Sequence, residues 1–195
     1  MPTSEHWQIP WIVDLIAREQ PASVLDLGAG YGKYGVLARE YADLTRLDAV
    51  DVSPPRYPVY DHVYVGDLRA LDRLLPADAP RYDLALFVDA IEHLEKDEAW
   101  ALLDTLTRRA NRVLVATPWG FRPQEVSGQP FETHRSGWYP WEFGARYRLH
   151  AWRVFPGHFT RYLRLPRLWQ LVVLIGSRDV REVTTPLRAA RAAAG

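Results

Sequence analysis

The stretch Val24-Leu25-Asp26-Leu27-Gly28-Ala29-Gly30-Tyr31-Gly32 constrains the fold of this chain more than any other. A short apolar run, Ser23–Leu27, contains one acid and empties into three alternating glycines. Lys33–Tyr41 then carries Val36, Leu37 and Tyr41 on roughly one helical face. Glycines at alternate positions tolerate positive φ and let backbone approach a ligand where a Cβ would collide. The first N–H groups of the following helix point at whatever the loop holds. A strand, a bare turn and a helix in that order predict the ligand-binding corner of a parallel α/β sheet. A generic tight turn is the plainer alternative.

The rest of the chain keeps the same alternation. Pro10 suits the first turn of a helix that carries Ile12, Leu15 and Ile16 and stops at Pro21. Further strands are expected over Arg46–Asp51, His62–Val65, Tyr82–Val88 and Val113–Ala116, and further helices over Leu68–Leu75 and Asp97–Ala110. Tyr82–Val88 is apolar throughout its core, as suits a central parallel strand. An irregular stretch, Thr117–Pro140, leads to a short helix around Trp141–Tyr147. Strands near Leu149–Phe155 and Leu168–Ile175 then pair as an antiparallel edge. The expectation is an α/β domain over residues 1–176, built on a Rossmann-like, mostly parallel sheet with helices on both faces. Residues 177–195 read as an Arg/Ala-rich C-terminal tail.

Composition removes several function classes. The 195 residues include no cysteine, so disulfide frameworks and thiolate metal sites are excluded. None of His93, His134, His150 and His158 forms a close pair on one predicted helix, and no metal is expected. The first residues lack the basic start and apolar run of a signal peptide. The longest apolar run, Leu171–Ile175, is far shorter than the roughly 20 residues a membrane helix needs. A cytoplasmic protein without membrane partners is the expectation. Net charge is zero, yet residues 1–100 hold 9 Lys/Arg against 18 Asp/Glu, and residues 101–195 hold 15 against 6.

Asp26 lies two residues before Gly28, where a carboxylate suits a cationic ligand such as the ammonium of a bound amino acid. It would repel a pyrophosphate. That weakens the dinucleotide fingerprint also present in Gly30-Tyr31-Gly32-Lys33-Tyr34-Gly35, with Asp51 about 20 residues on. Asp26-Leu27-Gly28-Ala29-Gly30-Tyr31-Gly32 resembles the first motif of class I S-adenosylmethionine-dependent methyltransferases. The resemblance implies a seven-stranded sheet with an antiparallel final strand. It also implies S-adenosylmethionine as cofactor, with Gly28, Ala29 and Gly30 against its methionine part. Asp51, followed by Val52, matches the acid that accepts the ribose hydroxyls, and capping of the Ser53–Pro55 turn is its alternative role. Asp67, followed by Leu68, resembles the adenine-contacting acid, and is equally a good helix N-cap. Asp89-Ala90-Ile91-Glu92-His93-Leu94 resembles the end of the fourth strand in small-molecule members, with Asp89 beside the cofactor.

Methyl transfer from a sulfonium is an in-line displacement that needs alignment and no metal. An oxygen acceptor gains from a base, and His93, then His134, are the candidates. A histidine that merely bonds backbone at a strand-to-helix turn is the alternative. The aromatic segment after the fifth strand, including Trp119, Arg135 and Trp138, reads as the substrate wall, or as a hydrophobic cluster tacking the loop down. Its Thr-Pro…His-Arg-Ser-Gly-Trp pattern is loosely similar to methyltransferases of glycan and natural-product pathways. Arg122, Arg135, Arg146, Arg148 and Arg153 fall in or near this region and point to an anionic, sugar-like or ring-bearing small molecule, O-methylated. The Asn/Asp-Pro-Pro-aromatic motif of nucleic-acid amino methyltransferases is missing after the fourth strand. Ser53-Pro54-Pro55-Arg56-Tyr57 follows the wrong strand, so nucleic acid is disfavoured. A non-catalytic cofactor-binding or partner-binding module on the same fold and an NAD-dependent oxidoreductase are the remaining alternatives.

Overall fold

The computed structural model describes residues 6–155 and 169–177. Its strands are β1 (Ser23–Leu27), β2 (Arg46–Asp51), β3 (His62–Val65), β4 (Tyr82–Val88), β5 (Ala110–Pro118), β6 (Arg148–Phe155) and β7 (Gln170–Gly176). They form one sheet in the order β3-β2-β1-β4-β5-β7-β6. The first five pair in parallel, and β7 runs antiparallel to both β5 and β6. The order turns around between β1 and β4, which opens a crevice at their carboxyl ends.

Strand sequence decides which face each side chain joins. In β4, Ala85 and Phe87 enter one core while Leu84, Leu86 and Val88 enter the other; β5 splits Val113 and Val115 from Leu114 and Ala116 in the same way. Buried apolar residues on both faces explain why these strands read as unbroken apolar runs. One face is covered by α1 (Ile9–Glu19) and α2 (Lys33–Tyr41), through Ile12, Leu15, Ile16, Tyr34 and Ala38. The other is covered by α3 (Leu71–Leu74), α4 (Lys96–Arg109) and α5 (Pro140–Arg146), through Leu71, Leu102, Leu103, Leu106 and Phe143. Each such leucine contributes roughly 1.5–3 kcal/mol by leaving water.

Three boundaries differ from expectation. Leu68–Ala70 forms a 3-10 turn capped by Asp67, which splits the expected Leu68–Leu75 helix. Helix α4 stops at Arg109, and β5 takes over at Ala110 and runs on to Pro118. The last strand is described from Gln170; the expected start at Leu168, His158 and the tail beyond Ser177 lie outside the described residues.

Candidate functional site at the strand ends

The glycine loop is shaped by backbone constraint. Gly28 has φ +66°, and a Cβ there would stand 2.7 Å from the Cβ of Ala90, just past β4. Leu68 reaches the same point from the far side of β2, 4.0 Å away. The Gly28 N–H donates to the Val50 carbonyl at 2.9 Å, tying the loop to β2. Gly32, φ +91°, opens α2.

Asp26 is buried in β1 and accepts a hydrogen bond from the Tyr60 hydroxyl at 2.6 Å. Burial pushes its pKa up to about 7; the Tyr60 bond pulls it down and the Asp51 charge adds to the rise. Tyr60 lies in the β2–β3 connection with its ring across Gly32 and Gly35. Sequence reasoning missed it, because no periodicity marks a loop tyrosine that folds back on a motif 34 residues earlier.

Asp51 closes β2 and joins two roles. One oxygen accepts the Gly30 N–H at 2.8 Å, and the other accepts the Ser53 N–H at 2.9 Å, so it braces the glycine loop and caps its own turn. Two oxygens with two lone pairs each leave acceptor capacity for hydroxyl donors. Val52 beside it is exposed, and Ala29 is half-buried at the tip of the loop. Asp67 is the N-cap of the 3-10 turn and is gripped by the Arg69 guanidinium at 2.6 Å. Asp89, with φ +51°, accepts bonds from Gln8, at 3.0 Å, and from Gln170.

The next turn carries Glu92 and His93. Burial, with Asp89 close by, holds the Glu92 pKa well above the usual carboxylate range. Burial also lowers the pKa of His93 and of His134, against the hydrogen bond each ring makes to a backbone carbonyl. Burial thus favours the neutral form of both rings. Their ring centroids stand 4.9 Å apart, and the His93 Nδ1 is bonded to the Thr133 carbonyl 40 residues away. The fold thus unites two histidines that sequence spacing kept apart.

The aromatic segment divides. Trp119 stays half-buried, with Tyr139 and Trp141 ring centroids each 5.9 Å away and Trp141 largely exposed. Trp138 corrects the substrate-wall expectation. It is fully buried against Trp100 and Phe143, with its indole N–H donated to Ser136 and the Lys96 ammonium over its ring. Its large apolar area favours the core over the crevice. Arg135 remains exposed and pairs with Glu95 at 3.4 Å. Arg146 is drawn to Asp104 on α4, so part of the positive charge after residue 100 is locally neutralised.

No family model matches the sequence, and no curated protein does so. Solved structures do match. The 1,6-didemethyltoxoflavin-N1-methyltransferase of Burkholderia thailandensis, with bound 1,6-didemethyltoxoflavin and S-adenosylhomocysteine, is similar with TM-score 0.62 and 20% identity over 90% of this chain and 80% of that one. The fold is that of the class I methyltransferases. The N-methyltransferase NodS of Bradyrhizobium japonicum WM9, in complex with S-adenosylhomocysteine, shares the class I methyltransferase fold with TM-score 0.61 and 11% identity over 90% of this chain and 89% of that one. TehB from Haemophilus influenzae matches with TM-score 0.61 and 13% identity over 87% of this chain, which spans 62% of the TehB chain. In this class I methyltransferase fold, the Asp26–Gly32 corner and the ends of β2 and β4 sit at the reversal of strand order.

Proposed function

We propose that this chain is an S-adenosylmethionine-dependent methyltransferase acting on a small molecule, with oxygen as the favoured acceptor atom. The observation that carries this reading is the junction of Asp26, the side-chain-free Gly28 turn and Asp51 at adjacent strand ends. In this reading Asp26 faces the ammonium of the cofactor. Gly28, Ala29 and Gly30 give it close backbone approach. Asp51 and Val52 serve the ribose, Asp67 and Leu68 the adenine, and Asp89 floors the site. Trp119, with Tyr139 and Trp141, walls the acceptor side, and Arg135 offers an anionic acceptor its charge.

The cofactor supplies a methyl group on a sulfonium. The acceptor oxygen bonds to the methyl carbon as the carbon–sulfur bond breaks and its electron pair stays on sulfur. The residues supply alignment, which is worth about 7–11 kcal/mol in favourable systems. An oxygen acceptor must also lose its proton, and the two neutral histidines beyond β4 favour oxygen for that reason. A cytoplasmic setting and the absence of a nucleic-acid partner belong to the same reading, and no described helix is long and apolar enough to cross a membrane.

The dinucleotide reading loses ground to the sheet. A doubly wound dinucleotide-binding sheet runs 3-2-1-4-5-6, whereas here an antiparallel strand separates β5 from β6. Calorimetry with S-adenosylhomocysteine, S-adenosylmethionine and NAD tests the choice directly. The adenosyl ligands should bind, and Asp51→Ala should weaken them at least tenfold. Transfer of labelled methyl to a metabolite extract should separate an enzyme from a binding module. Indifference to both adenosyl ligands at millimolar concentration would sink the proposal.

A further inference from the structure

The turn after β4 and the loop after β5 meet in a cluster that the methyl-transfer reading leaves partly unexplained. One ligand atom each from Glu92, His93 and His134 lies within 4.8 Å of the others. His93 Nδ1 faces the Thr133 carbonyl at 3.2 Å, and His134 Nδ1 faces the Arg122 carbonyl at 2.7 Å. A carbonyl can only accept, so each Nδ1 carries a proton and a neutral ring would leave Nε2 as its ligand atom; the Asp89 carbonyl also lies within reach of the His93 ring. Backbone carbonyls holding the far nitrogen are the usual support of a metal-binding imidazole. Glu92 is buried and its Oε2 lacks a hydrogen bond of ordinary length, while the Thr117 hydroxyl and the Arg122 guanidinium lie near enough to favour its ionised form. Burial opposes the ionised form of this carboxyl, and a cation bound beside it would restore that form.

The frame holding these groups is itself bonded together. The Glu92 carbonyl accepts the Arg135 N–H at 2.7 Å and the Ser136 N–H at 3.1 Å, and the His134 N–H donates to the Gln124 carbonyl at 3.0 Å. The loop carrying His134 is therefore fastened to the turn carrying Glu92 and His93.

We infer that Glu92, His93 and His134 form a binding site for one divalent transition-metal ion. Two imidazoles and one carboxylate are the donor set of zinc, iron(II) and cobalt(II) sites that keep coordination positions open. Around such an ion, at about 2.0–2.2 Å from each ligand, donor atoms stand roughly 3.4 Å apart. The present separations, up to 4.8 Å, are wider, so side-chain rotation would have to close them on binding. Open positions on such an ion would be available to the acceptor of the proposed methyl-transfer site. There the ion would hold the acceptor oxygen and lower its pKa, so that the histidines act as ligands and not as bases. That role rests on the methyltransferase reading; binding of the ion does not.

The test uses untagged protein stripped by a chelator and then freed of it. Zinc chloride titrated by calorimetry should bind at one equivalent per chain. Cobalt(II) should give a visible absorption band that zinc displaces. His93→Ala, His134→Ala and Glu92→Gln should each lower zinc affinity tenfold or more, while His62→Ala leaves it unchanged. Wild-type protein that takes up no stoichiometric zinc overturns the site, whatever the variants do. Retention of full affinity in the folded double variant His93→Ala/His134→Ala overturns it as well. S-adenosylhomocysteine titrated into the metal-free protein reads the cofactor proposal separately.

Discussion

Asp26 is where a single residue sets a pH dependence. Its pKa of about 7, raised mainly by burial, leaves it half protonated near neutrality. A cationic ligand selects the ionised form, so cofactor affinity should climb up to tenfold per pH unit below 7 and flatten above it. Calorimetry with S-adenosylhomocysteine from pH 5.5 to 8 checks this, and Tyr60→Phe, which removes the bond to Asp26, should move the plateau to higher pH. Folding gives an independent readout. The folded pKa exceeds the ordinary 3.8, so the folded state holds a proton that the unfolded chain has already released between the two values. Stability should therefore fall as pH rises through that window, and Asp26→Asn should lessen the fall in urea midpoints, leaving the part that comes from Glu92, whose pKa is also raised. Gly28→Ala meets both positive φ and the Ala90 Cβ, and should cost about 1–3 kcal/mol in the same assay. Both acids and the glycines were legible in the sequence because their spacing follows the chain. Tyr60 was not, since its partner is reached only through tertiary folding.

Among the elements, the parallel strands were legible because burial on both faces leaves an unbroken apolar run, as in Leu84–Val88. The placement of β7 between β5 and β6 was less so, because an apolar strand carries no label for its neighbours. The β5–α5 connection shows the same limit for side chains. Trp138 and Trp141 look alike in sequence, yet one is fully buried and the other 61% exposed. Hydrogen bonding decides between them: the Gly120 N–H bonds the Trp138 carbonyl at 2.9 Å and fixes that residue against the sheet. Trp138→Ala should cost about 3–5 kcal/mol of stability, whereas Trp141→Ala should stay within about 0.5 kcal/mol. If Trp141 belongs to the acceptor wall, its replacement should raise KM for the acceptor and spare cofactor affinity. Denaturant melts and steady-state kinetics separate the two effects.

Across the whole molecule, the charge split needs pairing information before it speaks about ligands. Arg108 and Arg109 reach Asp72, and Arg146 reaches Asp104, so several positive groups after residue 100 are met by carboxylates close at hand. Arg135 is an exposed candidate in the proposed acceptor region, and its ion pair with Glu95 is exposed and weak. An anionic acceptor should therefore show KM rising with added salt in wild-type protein and hardly at all in Arg135→Ala. The histidine–glutamate cluster was invisible from spacing because His134 reaches the adjacent Glu92 and His93 from a separate loop, and no composition statistic reports that.

The bonds at Asp89 reach beyond the crevice. One carboxylate clasps Gln8, ahead of the first helix, and Gln170, at the start of the last strand. Segments from opposite ends of the described fold thus share one anchor directly beneath the reactive corner. Shaving the chain back past Gln8 would strip that anchor of one strut, and a cut made far from the glycine corner in sequence would be felt at the end of β4.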